Sequence, residues 1–340
     1  MTRGSLVLGI ESSCDDTAAA IVRGGRDVLS SVVRNQNAEH APFGGIVPEI
    51  AGRSHLRNAV PVVDAALEEA GVALDAIDAI AVTNRPGLIG SLLVGVSLAK
   101  GLSWSLGKPL IGVHHIEAHA YSPTMEHDVP FPALALVVSG GHTALYRTPS
   151  KTELIPLAST LDDAAGEAFD KVAQMLGLGF PGGPAVSKVA LEGDPRAVAF
   201  PRYRPKDGGL GFSFSGLKTA VLYHLRGQDA LAPTPPPEEI ENVADIAASF
   251  EQAVVDVLVR QTLAAADEVG TRSILVAGGV ACNRRLREEM QSAAAARGAQ
   301  AFFPSPRYCA DNAAMIAGLG GERFRAGERS TLDLDAMARA

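Results

Sequence analysis

Two stretches of this chain, far apart in sequence, open in the same way. Ser5–Ile10 is an apolar run, followed by a polar turn, Ser12-Ser13-Cys14-Asp15-Asp16, and a second apolar run, Thr17–Val22. Ala133–Ser139 is an apolar run, followed by Gly140-Gly141-His142 and a second run, Thr143–Arg147. Each pair reads as two strands joined by a tight turn, and each gains a third strand, Val28–Val33 in the first case and Glu153–Ala158 in the second. A chain that starts the same way twice is constrained to a duplicated unit, here a mixed sheet covered by helices.

The remaining elements fit that frame. Helical spacing runs from Pro48 to Glu69, with the proline near the start, where its missing N–H costs nothing. Ala79–Thr83 reads as a buried strand, Leu92–Leu106 as a helix of small residues and Pro109–Val113 as a further strand. In the second half, helical patterns cover Ala164–Leu176 and Glu238–Val269, and a strand covers Ser273–Val276. A helix follows from Asn283, then a strand at Ala301–Phe303 and a last helix from Asp311. Pro201–Phe214 and Pro233–Pro237 are rich in breakers and read as surface insertions. The expected division is a first lobe over residues 1–128 and a second over 129–340, the last helix returning to the cleft between them. Two such lobes, with paired polar turns facing a nucleotide's phosphates, make the architecture of actin-like and sugar-kinase-like proteins.

Bulk properties narrow the function. With 340 residues, 47% of them hydrophobic and 20% charged, the chain has the balance of a globular protein with a large core. A net charge of −8 argues against a nonspecific nucleic-acid coat, while leaving room for a local basic patch. Three cysteines without a C-x-x-C pair fit a reducing cytoplasm and no disulfide framework. The sequence predicts neither a signal peptide nor a membrane span.

The stretch His114-His115-Ile116-Glu117-Ala118-His119 carries the first chemical signal. His115 and His119 are spaced so that a helix starting near His114 or His115 puts both imidazoles on one face, able to share one ion. Two imidazoles suit zinc or iron. This is not the metalloprotease motif H-E-x-x-H, because Glu117 lies about 200° round the helix from His115. The alternatives at this point are a metal pair and an exposed helix that carries three histidines.

Three glycine loops carry the second signal. Ser139-Gly140-Gly141-His142-Thr143 and Ala277-Gly278-Gly279-Val280 each end a strand, and the latter leads through Asn283 into a helix. Pro181-Gly182-Gly183-Pro184 is the third. Glycines let backbone N–H groups approach a phosphate, and a helix N-terminus favours an anion. A plain turn explains each loop singly, and N-capping alone explains Asn283. Asp162-Asp163, Glu167 and Asp170 line an expected helix start, where acids complement the dipole. Asp15 and Asp16 are good turn formers, and also groups that could hold a cation or steer a phosphate. Arg202, Arg204 and Lys206 form one basic cluster, and Arg284, Arg285 and Arg287 another. The second reads as a solvated helix face and the first as a phosphate contact.

Taken together these motifs resemble one family. Gly9-Ile10-Glu11-Ser12-Ser13-Cys14-Asp15-Asp16-Thr17, His40 to Pro48, His115-Ile116-Glu117-Ala118-His119 and Val138-Ser139-Gly140-Gly141-His142-Thr143 are four of its signatures. Asp162 to Lys171, Phe212 to Thr219, Ala277 to Val280 with Asn283, and Asp311-Asn312 are the others. The chain is similar over nearly its whole length, from about Gly9 to Phe324, to the TsaD family of tRNA N6-adenosine threonylcarbamoyltransferases.

The resemblance implies an α/β, actin-like, two-lobed fold with the active site in the interlobe cleft. It implies transfer of a threonylcarbamoyl group from threonylcarbamoyl-adenylate to the N6 amine of adenosine 37, in tRNAs reading codons that begin with A, with release of AMP. His115, His119 and Asp311 would bind one divalent metal, iron in the family's usual description, with zinc the other candidate. Val137, Val138, Ser139, Gly140, Gly141, Asp170, Gly183 and Asn283 would hold the adenylate. Asp15 would sit at the acyl-transfer centre. The implied partners are tRNA and the proteins TsaB and TsaE, with no membrane. Two positions depart from the common pattern. Arg85-Pro86-Gly87 stands where a Gly-Pro-Gly is usual, and Ser187 stands where some relatives carry an acid as a ribose contact. The alternative within the same fold is a kinase or ATPase, which would need acids holding magnesium near the phosphates rather than a two-histidine site.

Overall fold

The structure is a computed structural model, and it describes residues 4–227 and 235–339. Pro233 and Thr234, part of an expected surface insertion, lie outside the described residues. The chain divides into two compact units. The first comprises residues 1–128, 150–153 and 304–340, and the second residues 129–149 and 154–303.

The first unit holds strands β1 (Leu6–Glu11), β2 (Thr17–Arg23), β3 (Asp27–Arg34), β4 (Ala79–Arg85) and β5 (Leu110–His114). Their order is β3-β2-β1-β4-β5. The hairpin strands β1, β2 and β3 pair antiparallel, while β4 joins β1, and β5 joins β4, in parallel. The helices are α1 (Asn37–His40), α2 (Pro48–Ala70), α3 (Ile89–Leu106), α4 (His115–Tyr121) and α5 (Pro123–Glu126).

The second unit repeats the plan. Its strands are β6 (Ala133–Val138), β7 (Thr143–Ser150), β8 (Glu153–Ser159), β9 (Ser273–Ala277) and β10 (Gln300–Phe302), in the order β10-β9-β6-β7-β8. Here too the first strand pairs antiparallel with the second and parallel with the fourth. The helices are α6 (Ala165–Met175), α7 (Gly182–Ala190), α8 (Ser215–Arg226), α9 (Val243–Val269) and α10 (Arg284–Ala295). The last helix, α11 (Ala313–Arg325), belongs to the first unit. The duplicated hairpin of the sequence is thus a duplicated five-stranded mixed sheet with one strand order, the actin-like plan.

The sequence division placed residues 129–340 together, and the structure corrects it for residues 304–340. α11 packs on β1, β2 and β4, and its Ala313, Ile316, Ala317 and Leu319 join a core with Val7, Ala81 and Val113. The other face of that sheet is covered by α2 and α3, where Leu8, Ile10, Ile80 and Val82 meet Val62, Leu92 and Val96. α3 is long and apolar enough by length and composition to cross a membrane. Its Ser91, Leu92, Gly95, Val96 and Ala99 are buried, and it packs on α2 and β4 as a core helix.

Two helices of the second unit, α7 and α8, were not legible in the sequence. Pro181-Gly182-Gly183-Pro184 reads as a loop, yet Gly182 and Gly183 are the first turn of α7. Proline is tolerated there because first-turn N–H groups have no intrahelical partner. α8 follows the breaker-rich stretch, and its N-terminus is capped from a distance. Asp162 accepts hydrogen bonds from the Phe214 N–H (2.8 Å) and the Ser215 N–H (3.2 Å), and from the hydroxyls of Ser213 (2.6 Å) and Ser215 (2.7 Å). Asp162 therefore serves α8, not the start of α6 as its sequence position indicated. The expected helix over Glu238–Val269 begins only at Val243, because Asn242 takes a left-handed conformation with φ 55°.

One contact sets where α11 lies. A Cβ on Gly9 would stand 2.4 Å from the Ala313 carbonyl oxygen and 2.7 Å from the Ala317 nitrogen. Only glycine lets the helix approach β1 so closely. Gly9→Ala should therefore push α11 off the sheet and cost about 1–3 kcal/mol, the usual scale of overpacking. Denaturant unfolding of the metal-free protein measures this, and unchanged stability would show that the helix has slack at this point.

Candidate metal centre and glycine loops

α4 starts where the histidine spacing predicts. His114 ends β5, and its Nδ1 accepts the Ile116 N–H at 3.1 Å as an N-cap. His115 and His119 then fall one turn apart on the same face. Their rings stand edge to face, 4.6 Å between centroids, with the two Nε2 atoms 3.1 Å apart. Glu117 faces elsewhere and pairs with Arg323 of α11, so it takes no part in the cluster.

Asp311 completes the group. Its Oδ1 lies 3.1 Å from His119 Nε2 and 3.5 Å from His115 Nε2. It does not cap α11, because Asn312 holds the N-cap position and its Oδ1 accepts the Met315 N–H at 3.0 Å. The segment before α11 is thus free to present Asp311 to α4, and the docking of α11 at Gly9 carries it there.

Three donor atoms of this kind fit one cation. Ligands bonded to a first-row dication at about 2.0–2.2 Å stand roughly 3–3.5 Å apart. His115, His119 and Asp311 form a buried to half-buried triad with that spacing. Two imidazoles and one carboxylate also match the preferences of iron or zinc. The Nδ1 of His119 is buried without a hydrogen-bond partner among the described residues.

The electrostatics say the same. Burial lowers the pKa of His115, but Asp311 and Glu11 outweigh it and hold the group well above the usual imidazole range. Burial raises Asp311, but His115 and His119 outweigh it and hold the carboxyl well below its usual range. His119 is lowered by burial and by the charge on His115. The pocket therefore demands positive charge between its carboxylates. A proton on His115 supplies it, and a cation bound to the deprotonated ring would supply it better.

The acidic turn lies beside this centre. α2 and α3 grip its backbone. The Cys14 carbonyl accepts from His55 Nε2 at 3.0 Å and from the Ser91 hydroxyl at 3.2 Å, and the Ser13 carbonyl accepts from the Leu88 N–H at 2.7 Å. His55 Nδ1 is then the acceptor for the Thr17 hydroxyl at 2.7 Å. Gly87 approaches Ser13 so closely that a Cβ would lie 2.4 Å from the Ser13 oxygen. Arg85, the departure from the common pattern, is the last residue of β4, in register with His114 and two residues ahead of this contact. Burial and the charge of Asp311 raise the Asp15 carboxyl, and burial with Asp311, Asp15 and Glu11 pushes Asp16 up to about 7.

The second unit gathers the glycine loops. The Ser139–His142 turn is closed by the Ser139 N–H donating to the His142 carbonyl at 2.7 Å. The Gly166 N–H of α6 donates to the Ser139 carbonyl at 3.2 Å. Asp170 accepts the Gly182 N–H at 2.8 Å and so joins α6 to the start of α7. Asn283 caps α10 through the Leu286 N–H at 2.8 Å, while its Nδ2 donates to Ser187 Oγ at 2.9 Å and to Glu251 Oε1 at 2.7 Å. The starts of α6, α7 and α10 thus converge near the ends of β6 and β9, the natural anion site of such a sheet.

The glycines there are of two kinds. Gly278, at φ 94°, would place a Cβ 2.4 Å from the Val138 oxygen, so the fold itself requires it. Gly140, Gly141, Gly183 and Gly279 have no atom within 4 Å of a built Cβ and no left-handed φ. Neither a packing clash nor a left-handed backbone requires glycine at those four positions. Val137 and Val138 are fully buried strand residues, so only their backbone could reach a ligand.

The basic clusters come out differently from their sequence reading. Arg202 is tied to Asp256 at 2.9 Å and to the Phe200 carbonyl at 2.6 Å, which leaves Arg204 and Lys206 as the exposed members. Arg285 pairs with Glu251 at 3.0 Å, and Arg287 bonds the Ala281 carbonyl and lies over the Phe303 ring. Sequence reasoning gave no site role to Glu11, His55 or Thr83, although Glu11 stands within the first signature stretch. Each meets its partners only through the fold.

Comparison with known proteins agrees with this architecture. Full-length HypF, in a phosphate- and nucleotide-bound form, superposes with a TM-score of 0.62 at 14% identity, covering 100% of this chain and 48% of HypF. Component A of Acidaminococcus fermentans (R)-2-hydroxyglutaryl-CoA dehydratase gives 0.55 at 13% identity, covering 95% of this chain and all of that one. At such identities the likeness is one of fold alone. The duplicated sheets and the triad define the class: an actin-like protein with a cluster able to hold a cation.

The sequence comparisons are closer. The family model described as TsaD, tRNA N6-adenosine threonylcarbamoyltransferase, matches residues 27–318. The tRNA N6-adenosine threonylcarbamoyltransferase of Syntrophotalea carbinolica is 53% identical over 335 residues, 98% of this chain and 96% of that one. Its counterpart in Geobacter sulfurreducens is 53% identical over 331 residues, 97% and 95% of the two chains. The chain belongs to the TsaD family and is a transferase. Nothing in these relatives favours the kinase or ATPase alternative.

The raised carboxyl of Asp16 gives a pH test. An unfolded aspartate titrates near 3.9, and here the folded group titrates at about 7. Below pH 4 both states hold the proton and the group has no effect. Between pH 4 and 7 the unfolded state loses its proton first, so folding is progressively disfavoured as pH rises. Asp16→Asn should leave stability at pH 4 unchanged and raise it at pH 8, by up to about 2–4 kcal/mol. Thermal melts in chelator read this, and equal gains at both pH values would show that ionisation of Asp16 is not involved.

Proposed function

We propose that the chain transfers a threonylcarbamoyl group from threonylcarbamoyl-adenylate to the N6 amine of adenosine 37 in tRNAs reading codons that begin with A, releasing AMP. The observation that carries this reading is the near full-length relationship to named tRNA N6-adenosine threonylcarbamoyltransferases. The two kinds of glycine in the second unit support it independently.

The donor is a mixed carbamate–phosphate anhydride, already activated. The amine nitrogen forms a bond to the carbonyl carbon, and the bond from that carbon to the phosphate oxygen breaks. No protein nucleophile is needed. Asp15 accepts the proton that the amine loses, and its raised pKa makes it a better base than an ordinary aspartate. The open loops at Ser139–Gly141, Gly183 and Gly279, with the starts of α6, α7 and α10, bind the adenylate's phosphate through backbone N–H groups. Asp170 and Asn283 hold those helix starts in place. His115, His119 and Asp311 would hold one divalent metal, iron or zinc, which supplies Lewis acidity towards an oxygen of the donor.

tRNA is the acceptor, with Arg204 and Lys206 as candidate phosphate contacts. The family's bacterial partners TsaB and TsaE are carried forward as partners of this chain. The α2–α3 pair exposes Leu56, Val60, Leu93 and Trp104, a surface suited to a protein rather than to phosphates. Cysteines that form no disulfide among the described residues fit a cytoplasmic setting.

Reconstitution tests the function. The chain with TsaB, TsaE, threonylcarbamoyl-adenylate and tRNA should yield the modified adenosine by mass spectrometry of nucleosides. Nucleotide turnover without tRNA, and no modified nucleoside, would contradict it. Gly141→Val and Gly279→Val should fold normally and lose AMP affinity by about tenfold or more. Calorimetry with AMP measures this, and unchanged affinity would remove these loops from the site.

A further inference from the structure

Glu11 is the last residue of β1 and is wholly buried. A buried carboxylate is costly unless its oxygens are satisfied. Its oxygens have named partners among the described residues. Oε1 accepts the Ser13 N–H at 2.5 Å. Oε2 accepts the Thr83 hydroxyl at 2.7 Å and the Nδ1–H of His115 at 2.9 Å. Thr83 comes from β4 and is itself wholly buried, so the carboxylate is fixed by a neighbouring strand before it meets the histidine.

These bonds have a directional consequence. A carboxylate can only accept, so Nδ1 of His115 must carry the hydrogen. The lone pair of the neutral ring is then on Nε2, the atom facing His119 Nε2 and Asp311 Oδ1. The other tautomer would turn an N–H towards the triad and deny the site one ligand. The Ser13 hydroxyl, 3.2 Å from the same Nδ1, is the second group within reach of that hydrogen. Oε1, meanwhile, holds the backbone of the turn that bears Asp15.

We propose that Glu11 is a positioning residue for the metal centre: it fixes the tautomer and orientation of His115 for a cation, and through Ser13 ties that ligand to the turn carrying Asp15. This rests on the metal reading of the triad given above. Glu11 touches neither substrate nor cation, and acts through His115. Outer carboxylates of this kind commonly govern metal affinity by 10–100-fold.

The test measures metal affinity, not turnover. Co2+ and Zn2+ binding is followed by chelator competition in the parent chain, in Glu11→Gln and in Thr83→Val. Glu11→Gln keeps the shape but removes the charge. Thr83→Val removes one anchor of the carboxylate and keeps the packing. The expected result is a loss of about 10–100-fold in Glu11→Gln and a smaller loss in Thr83→Val, with AMP affinity unchanged in both. Nitrogen-15 spectra of the metal-free protein below saturation of His115 with protons should show Nδ1–H in the parent and a mixture of tautomers in Glu11→Gln. A purely structural role would lower the melting temperature and leave the tautomer and the metal affinity unmoved, which overturns the proposal. If Glu11→Gln does not fold, unchanged metal affinity in Thr83→Val overturns it alone. Absence of cation binding by the parent overturns the metal reading and this role with it, whereas binding that both variants retain overturns only the role of Glu11.

Discussion

A buried imidazole between two carboxylates is the interaction on which the first unit depends. His115 stands between Glu11 at the end of β1 and Asp311 ahead of α11. Placing three ionisable groups together away from water is costly, and removing one leaves the others uncompensated. The cost is met by fixing each partner from a different element. Thr83 of β4 holds Glu11, the first turn of α4 sets the spacing of the histidines, and the close approach of α11 at Gly9 delivers Asp311. The position of α11 therefore shapes the cluster as much as the helical spacing of His115 and His119 does.

The second unit solves a different problem with the same sheet order. Its glycine turns leave backbone exposed rather than bury charge. Asp170, Asn283 and Asp162 spend their side chains on helix starts, so that the glycine turns can stay uncovered. Gly278 and Gly166 are filled against by neighbouring backbone, whereas Gly140, Gly141, Gly183 and Gly279 stand open. That contrast separates glycine the fold requires from glycine it does not, and no sequence motif draws it.

What was legible in the sequence was whatever is local. The two hairpins, the helical spacing of His115 and His119, the N-cap at Asn283 and most strands follow from neighbouring residues. The allegiance of α11 was not legible, because it is decided by packing on β1, far away in the chain. Asp162 looked like a helix-start acid for α6 and instead caps α8 across a long loop. Arg202 looked like a phosphate contact and is held by Asp256 of α9. Glu11 ends an apolar strand, and its importance lies wholly in a partner, His115, that the fold brings to it.

The central claim is that His115, His119 and Asp311 act as one cation site rather than as a helix decorated with histidines. Asp311→Asn tests it most directly, because Asn312 and not Asp311 caps α11, so the substitution removes a charge without removing a cap. Metal content and affinity are measured in parent and variant, with melting temperature in chelator as the control for folding. The account predicts a large loss of metal affinity, shared by His115→Ala and His119→Ala and little deepened by combining them, since members of one site are not additive. Full metal occupancy in a folded Asp311→Asn protein would contradict it.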